Sequence, residues 1–202
     1  MRFSVASNAS LIRNFSPQQQ FWAFGQTVQG DLHFSGKEAM YVLVNYYSPG
    51  KFKNTFVAKA LSAGTVPDHE DIIVRGTWRL RQVSVGWVHY FKGSCDEEDK
   101  WNLYGLAGFG LMSAGVENNY NQEVDSNYSK SGIPKEGLGR WRSLTFDLGL
   151  GVEYPLSAGI YIFGDLRTWI PNSDNNPSPF LHNIKNAPMP LMINGGVRIF
   201  FD

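Results

Sequence analysis

The chain has 202 residues, 18 Lys and Arg balanced by 18 Asp and Glu, and 14% aromatic residues. Zero formal net charge gives no electrostatic footprint for nucleic acid, and charged residues at 18% fall below the roughly 25% usual for soluble domains. No run approaches about 18 consecutive apolar residues, which excludes a transmembrane helix but not a barrel, whose lumen and loops are polar.

In chain order, strand periodicity recurs and helical periodicity does not. Met1 to Ser7 lacks the apolar stretch of a signal peptide, so an exported protein of this kind is expected to carry one ahead of the residues given. A first strand is predicted from Arg2 to Arg13, with Phe3, Val5, Ala9 and Leu11 opposite Ser4 and Asn8. After a polar loop at Asn14–Gln20, a second runs from Phe21 to Phe34, setting Trp22, Phe24, Val28, Leu32 and Phe34 against Thr27, Gln29, Asp31 and His33. The tight turn Ser35–Glu38 leads to a third, Ala39–Leu61, in which Pro49-Gly50 marks a bulge or bend.

Beyond Ser62–Glu70, the fourth strand, Asp71–Phe91, sets Ile72, Val74, Trp78 and Leu80 against Arg75, Thr77, Arg79 and Arg81. The apolar parity then flips to Val83, Val85 and Trp87, which predicts a bulge. A charged turn, Lys92–Lys100, holds Cys95, the single cysteine, which can form no internal disulfide and sits in no metal-binding spacing. The fifth strand, Trp101–Glu117, is glycine-rich, and a long polar stretch covers Asn118–Arg140.

The most regular segment follows. Leu144, Phe146, Leu148, Leu150, Val152 and Tyr154 alternate strictly with Thr145, Asp147, Gly149, Gly151 and Glu153. After Pro155–Gly159 comes a partner strand with Ile160, Ile162, Leu166 and Ile170 opposite Asp165 and Arg167. A second long loop, Pro171–Pro188, precedes the last strand, Met189–Phe201. Eight strands with short connections alternating with long ones make the plan of a transmembrane β-barrel in a single domain, 1–202: all-β, antiparallel, up-and-down, with short periplasmic turns and longer extracellular loops.

Alternation alone does not say which face meets water. A soluble, lipocalin-like ligand-binding barrel would hide the apolar parity, whereas an outer-membrane barrel is turned inside out. The polar parity is rich in Arg and Asp rather than the Lys and Glu of exposed strands, and Arg paired with carboxylate suits buried ion pairs. An eight-stranded barrel is just wide enough for its own side chains to fill it. Asp31, Arg75, Arg79, Arg81, Asp147, Glu153, Asp165, Arg167 and Arg198 are therefore expected to form an ion-paired lumen plug. Aromatics at strand ends are expected to form two girdles, including Trp22, Tyr90, Trp101, Trp141, Tyr154, Trp169 and Phe201.

On the hairpin Leu144–Ile170, the strand Leu103–Gly115 (LYGLAGFGLMSAG) and the closing Ile193–Phe201 (INGGVRIFF), the chain resembles the small outer-membrane β-barrel family, the OmpA-like and OmpW-like eight-stranded barrels, in a Bacteroidota style. The resemblance implies residence in a bacterial outer membrane, contact with its lipid and lipopolysaccharide, and a terminal aromatic for barrel assembly. Here Phe201 is penultimate and Asp202 follows.

The sequence offers little chemistry. His33-Phe34-Ser35 resembles the His-x-Ser of lipid A deacylases, which makes an outer-membrane lipid-modifying enzyme the alternative, but His33 lies at the short-turn rim with its parity inward. Asp96–Asp99 and Asp174–Asn176 lack the ordered pattern of a calcium loop and read as solvated charge. No cofactor or metal is expected. The expected function is non-enzymatic: structural, adhesive, or subunit of a larger outer-membrane complex. Partners would be met through loops 118–140 and 171–188, which are too long for mere connections.

Overall fold

The computed structural model describes residues 1–15, 18–97, 100–172, 179–182 and 189–201, and these contain no helix. The strands are β1 (Arg2–Asn14), β2 (Phe21–Ser35), β3 (Glu38–Tyr47), β4 (Gly50–Ala60), β5 (His69–Lys92), β6 (Asn102–Tyr120), β7 (Tyr128–Ser129), β8 (Gly137–Ser157), β9 (Ile160–Pro171) and β10 (Pro190–Phe201). All pairings are antiparallel, and β1, β2, β3, β5, β6, β8, β9 and β10 close into a ring of eight. β3 and β4 run end to end along β5, broken at Ser48–Pro49, where sequence predicts the bend; proline has no N–H to give the ladder. β7 is a two-residue patch on the edge of β4.

One end of the ring carries the short connections and both chain termini. At the other end the wall is lopsided, because β5, β6 and β8 have 24, 19 and 21 residues while β1, β9 and β10 have only 13, 12 and 12.

The faces settle the question that alternation left open. On β8, Leu144, Leu148, Leu150, Val152 and Tyr154 are exposed while Thr145, Asp147 and Glu153 are buried. The same inversion holds round the ring: Phe24, Val28, Val42, Val44, Val83, Val85, Phe109, Leu166, Ile193 and Val197 all look outward. A continuous outward apolar belt around polar contents is the reverse of a soluble barrel.

Along β5 the structure corrects the predicted bulge. The pairing of β5 with β6 is unbroken from Val74 to Tyr90, and every even residue from Ile72 to Tyr90 faces inward. What changes near Leu80 is the surroundings. Below it the outward residues are Val83, Val85 and Trp87; above it they are Arg81, Arg79, Thr77 and Arg75, and the inward ones become Leu80, Trp78, Val74 and Ile72. The strand leaves the apolar belt there, and the inside-out pattern reverts to the ordinary one.

Large inward aromatics fit this narrow ring because neighbouring strands offer glycine. Tyr41 lies across Gly86 and Gly108, which face each other in the β5–β6 ladder. A Cβ at Gly108 would meet the Tyr41 hydroxyl and the Val85 carbonyl oxygen, each at 2.4 Å. Gly108→Ala should cost about 1–3 kcal/mol through overpacking, read as a lower urea midpoint of the refolded protein in detergent. An unchanged midpoint would mean that the Tyr41 ring does not rest there.

Candidate functional site

The lumen is filled in layers. At the short-turn end, Tyr90, Tyr104, Tyr161, Phe200 and Cys95 form a buried cluster with Leu43, Val88 and Leu106. Above it, the fully buried Arg198 guanidinium donates to the Tyr90 hydroxyl (3.0 Å) and to Glu153, and its Nε lies 3.5 Å from Asp31. The remaining oxygens of these acids are also engaged: Asn102 donates to Glu153 (3.0 Å), and Gln29 and Ser4 donate to Asp31 (2.6 and 3.0 Å). A second pair follows, Arg167 donating through Nε and Nη2 to Asp165 at 2.8 and 2.5 Å, with Asn194 (2.6 Å) and Tyr104 (3.1 Å) on the same carboxylate. Bidentate Arg–carboxylate geometry is the strong form of this interaction.

Next comes a rung of neutral side chains across the ring. Thr27 donates to Asn45 (2.5 Å), Asn45 to Gln82 (2.9 Å), and Gln82 to both Thr145 and Asp147 (2.8 Å each). Toward the long-loop end the filling turns apolar, with Phe21, Phe52, Phe56, Trp78, Trp169 and Met192 in one buried cluster. Phe180, from the loop before β10, packs on that cluster and covers Gly139, and its carbonyl accepts from Asn118 (2.9 Å) and Gln19 (3.2 Å). Side chains thus occupy the lumen along its whole described length.

With the ring, the belt and the filled lumen in place, the relevant comparison is with solved structures. Neisserial surface protein A matches over 98% of this chain and 97% of its own, at 14% identity and a TM-score of 0.60. The outer membrane protein OprG from Pseudomonas aeruginosa matches over 99% and 95%, at 10% identity and 0.57. Ail, the attachment invasion locus protein of Yersinia pestis, in complex with the heparin analogue sucrose octasulfate, matches over 99% and 98%, at 11% identity and 0.53. The fold is that of the small outer-membrane β-barrels. No family model matches the sequence, and no curated protein does.

In this barrel Asp31, Glu153 and Arg198 meet in one ion-paired group and Asp165 with Arg167 in another. Asp147 is inside too, held by Gln82 and Thr145 rather than by a cation. Arg75, Arg79 and Arg81 do not belong to the lumen. They are exposed on the outer wall, and Arg79 lies 3.9 Å from the partly exposed Glu117. The expectation failed because the outward face of β5 changes from apolar to polar where the strand clears the belt.

The girdle needs a similar correction. Trp22, Trp101, Tyr154 and Phe201 face outward and are about half exposed. Trp22 stands at the long-loop end, whereas at the short-turn rim the other three are joined by Phe34 stacked on Trp87 (5.6 Å), and by Trp87 and His89, which donate to Glu38. Tyr90 and Trp169, by contrast, are buried inside, and Trp141 packs edge-on against Trp78 (5.4 Å) within the long-loop half. Position at a strand end does not decide a face; parity does. Trp169 shares parity with Asp165 and Arg167, Trp141 with Ser143 and Thr145, and Tyr90 opposes Trp87 and Phe91. That signal was present in the sequence.

The His-x-Ser stretch does not assemble a nucleophile and base. The Ser35 hydroxyl accepts from the Lys37 amide, while His33 Nε2 sits 3.0 Å from the Ser4 hydroxyl. Asp31 binds Ser4 rather than the far nitrogen of His33, so it does not orient the ring, and Ser4 is fully buried. Among the described residues no cluster of His, Cys, Asp or Glu could hold a metal ion. Asp174–Asn176, part of Asp96–Asp99, Asp202 and most of loop 171–188 lie outside the described residues.

Cys95 is 1% exposed beneath the turn between β5 and β6, its thiol 3.7 Å from the Ser35 carbonyl. Burial and the neighbouring Asp96 push this thiol up to about 12, which leaves roughly one thiolate in ten thousand at pH 8. A maleimide at pH 8 should leave Cys95 unmodified in the folded barrel and label it fully after boiling in SDS, as mass spectrometry would read. Rapid labelling of folded protein would mean that the turn opens.

Proposed function

We propose that the protein is an integral bacterial outer-membrane barrel without a through-pore, non-enzymatic, acting through what it displays at its long-loop end. One observation carries this reading: an outward belt of half-exposed apolar side chains encircles a lumen filled by ion pairs and aromatics. The belt needs lipid to cover it, and the filling leaves no aqueous path along the axis. The short turns then face the periplasm and the long loops the outside, the usual arrangement in such barrels.

The kinship in fold with a surface protein and an attachment invasion locus protein favours a structural or adhesive role or a place in a larger outer-membrane complex. The stretch 118–140 supports this. β6, β7 and β8 carry it well beyond the belt, and Tyr120 and Tyr128 are anchored there by the Pro134 and Pro67 carbonyls (2.6 and 3.0 Å). Such braced, elevated segments suit contact with another macromolecule better than mere connection.

The test is extraction and electrophoresis. Exported with an outer-membrane signal peptide, the protein should require detergent for extraction, and its unboiled form should migrate differently from the boiled form in SDS gels. A chain that stays monodisperse without detergent and unfolds in cold SDS would overturn the reading. It would point instead to a soluble ligand-binding barrel.

A further inference from the structure

We infer that the free edge of β4 is a docking slot for one extended, acidic segment of a protein partner, which joins the raised wall as an added strand. This deepens the proposed function and rests on its reading of the long-loop end as the face that meets other macromolecules.

The slot follows from the alternation of an antiparallel ladder, in which successive residues turn their N–H and C=O to opposite sides. The Ala60 amide donates to the Asp68 carbonyl (2.9 Å), in register with the β4–β5 ladder, so the even residues of β4 are engaged with β5. The odd residues turn the other way. At Lys59 they meet β7, and the Leu61 amide donates to the Asn127 carbonyl (2.9 Å). At Lys53, Thr55 and Val57 no backbone group among the described residues pairs with them. The gap is closed at both ends. Below, Ser48 donates to the Phe24 carbonyl (2.7 Å) and the Phe21 ring lies against Gly50, where β2 begins. Above, β7 holds two rungs before the chain turns, with the Ile133 amide donating to the Lys130 carbonyl (3.2 Å). From Lys53 to Val57 the open edge is about 17 Å long at the usual rise of a strand. β7 shows which partner this edge accepts: an antiparallel strand, whose line a docked segment continues downward.

Charge selects the occupant. Lys51, Lys53 and Lys59 are exposed on the outward face of β4, and the exposed Arg75 stands across the ladder from Lys53. Asp71 stands across from Val57, so the basic character is strongest at the lower rungs. An added strand with acids at alternate positions meets Lys53 directly and reaches Lys51 and Lys59 diagonally. A second copy of this chain fits poorly. Two copies in one membrane carry β4 in the same direction, which leaves only parallel pairing. About a two-fold axis normal to the membrane that pairing sets Lys53 beside its own copy, like charge on like. Lysines on an open edge thus discourage self-association and favour an acidic partner by the same charge.

The experiment uses the full chain, refolded in nanodiscs of phosphatidylcholine, and a labelled peptide of alternating glutamate and valine, with binding read by fluorescence anisotropy. Saturable binding is expected below about 1 mM. With the glutamates outward beside Lys53, their amides point at β4 and the valine amides point away. N-methylation of the glutamate amides should therefore weaken binding about tenfold, and of the valine amides less than about twofold. Thr55→Pro removes an edge-facing N–H, leaves the β5 ladder whole, and should weaken binding about threefold or more. Lys51→Gln with Lys53→Gln should weaken it about fivefold, whereas Arg140→Gln with Arg142→Gln, which removes as much charge from β8, should change it less than about twofold.

Equal effects of the two N-methylated peptides, or equal losses from the arginine pair, would mean attraction to a diffuse basic surface and overturn strand addition. A lysine–valine peptide binding as tightly would overturn the acidic preference. A disulfide-linked dimer of Thr55→Cys, formed in the membrane without peptide, would assign the slot to a second copy and overturn the partner. Absence of saturable binding below about 1 mM would overturn the slot itself. Each variant's unboiled band is checked first, so failure of the barrel reading is seen separately from failure of the slot.

Discussion

Arg198→Met should unfold the barrel more readily than any other conservative change in the lumen, by about 3–5 kcal/mol. The side chain is fully buried, pairs with Glu153 and Asp31, donates to Tyr90, and lies against the Tyr104 ring at 5.2 Å. Removing it strands two carboxylates in a space closed below by Tyr161 and Phe200, where neither can recover water. Most of the cost is that stranding rather than the loss of a favourable pair. Adding Glu153→Gln to Arg198→Met should therefore restore part of the stability, with Asp31 still unpaired. Urea titrations of refolded protein, read as the fraction of heat-modifiable band, would measure both. A loss below about 1 kcal/mol for Arg198→Met would mean that water reaches this layer and that the lumen is not closed.

The contrast with Arg79→Met shows why the arginines could not be sorted by type. Arg79 is exposed on the outer wall with only a long contact to Glu117, and its replacement should stay within about 0.5 kcal/mol. In sequence both are arginines opposite apolar neighbours on alternating strands. Period 2 reports which residues share a face, and it is silent on which face is out. For the lower part of β8 composition resolved this, because Asp147 and Glu153 share parity with Thr145, Gly149 and Gly151 while the other face is apolar throughout from Leu144 to Tyr154. β5 is 24 residues long and crosses from lipid-covered to water-covered wall, so its apolar face changes sides without a change of register. A one-residue slip produces the same string of letters. Only the unbroken ladder with β6 tells the two apart.

The contents of the lumen were legible on β2, β8, β9 and β10 but not on β5, and nowhere as partners. That Asp165 joins Arg167 on its own strand, while Glu153 reaches across to Arg198 on β10, depends on stagger between strands, which no single strand encodes. The apolar upper filling was equally hidden. Phe21, Trp78, Trp169 and the incoming Phe180 meet there only because the wall rises on one side and the described part of the last loop folds back over it.

Leu150→Arg is the change by which the membrane itself can be located. Leu150 is 58% exposed on the outward face of β8, near the middle of the run from Leu144 to Tyr154. Leu138, 47% exposed, occupies the same strand and the same face beyond Arg142 and Arg140. In a bilayer a guanidinium at the centre of the belt should cost about 2–4 kcal/mol, and at Leu138 about 0–1 kcal/mol, since the first position is clad in hydrocarbon and the second in headgroups or water. Both sites are open, so steric strain contributes little to either, and the difference reads depth alone. Folding titrations into liposomes would give the two values. Equal, small costs would mean that both positions meet water, and the exposed leucines, valines and phenylalanines of the belt would then need a protein partner instead of lipid. A large cost at Leu150 with little at Leu138 brackets the boundary between these two positions, the stretch in which the outward face changes from Leu144 to Arg142.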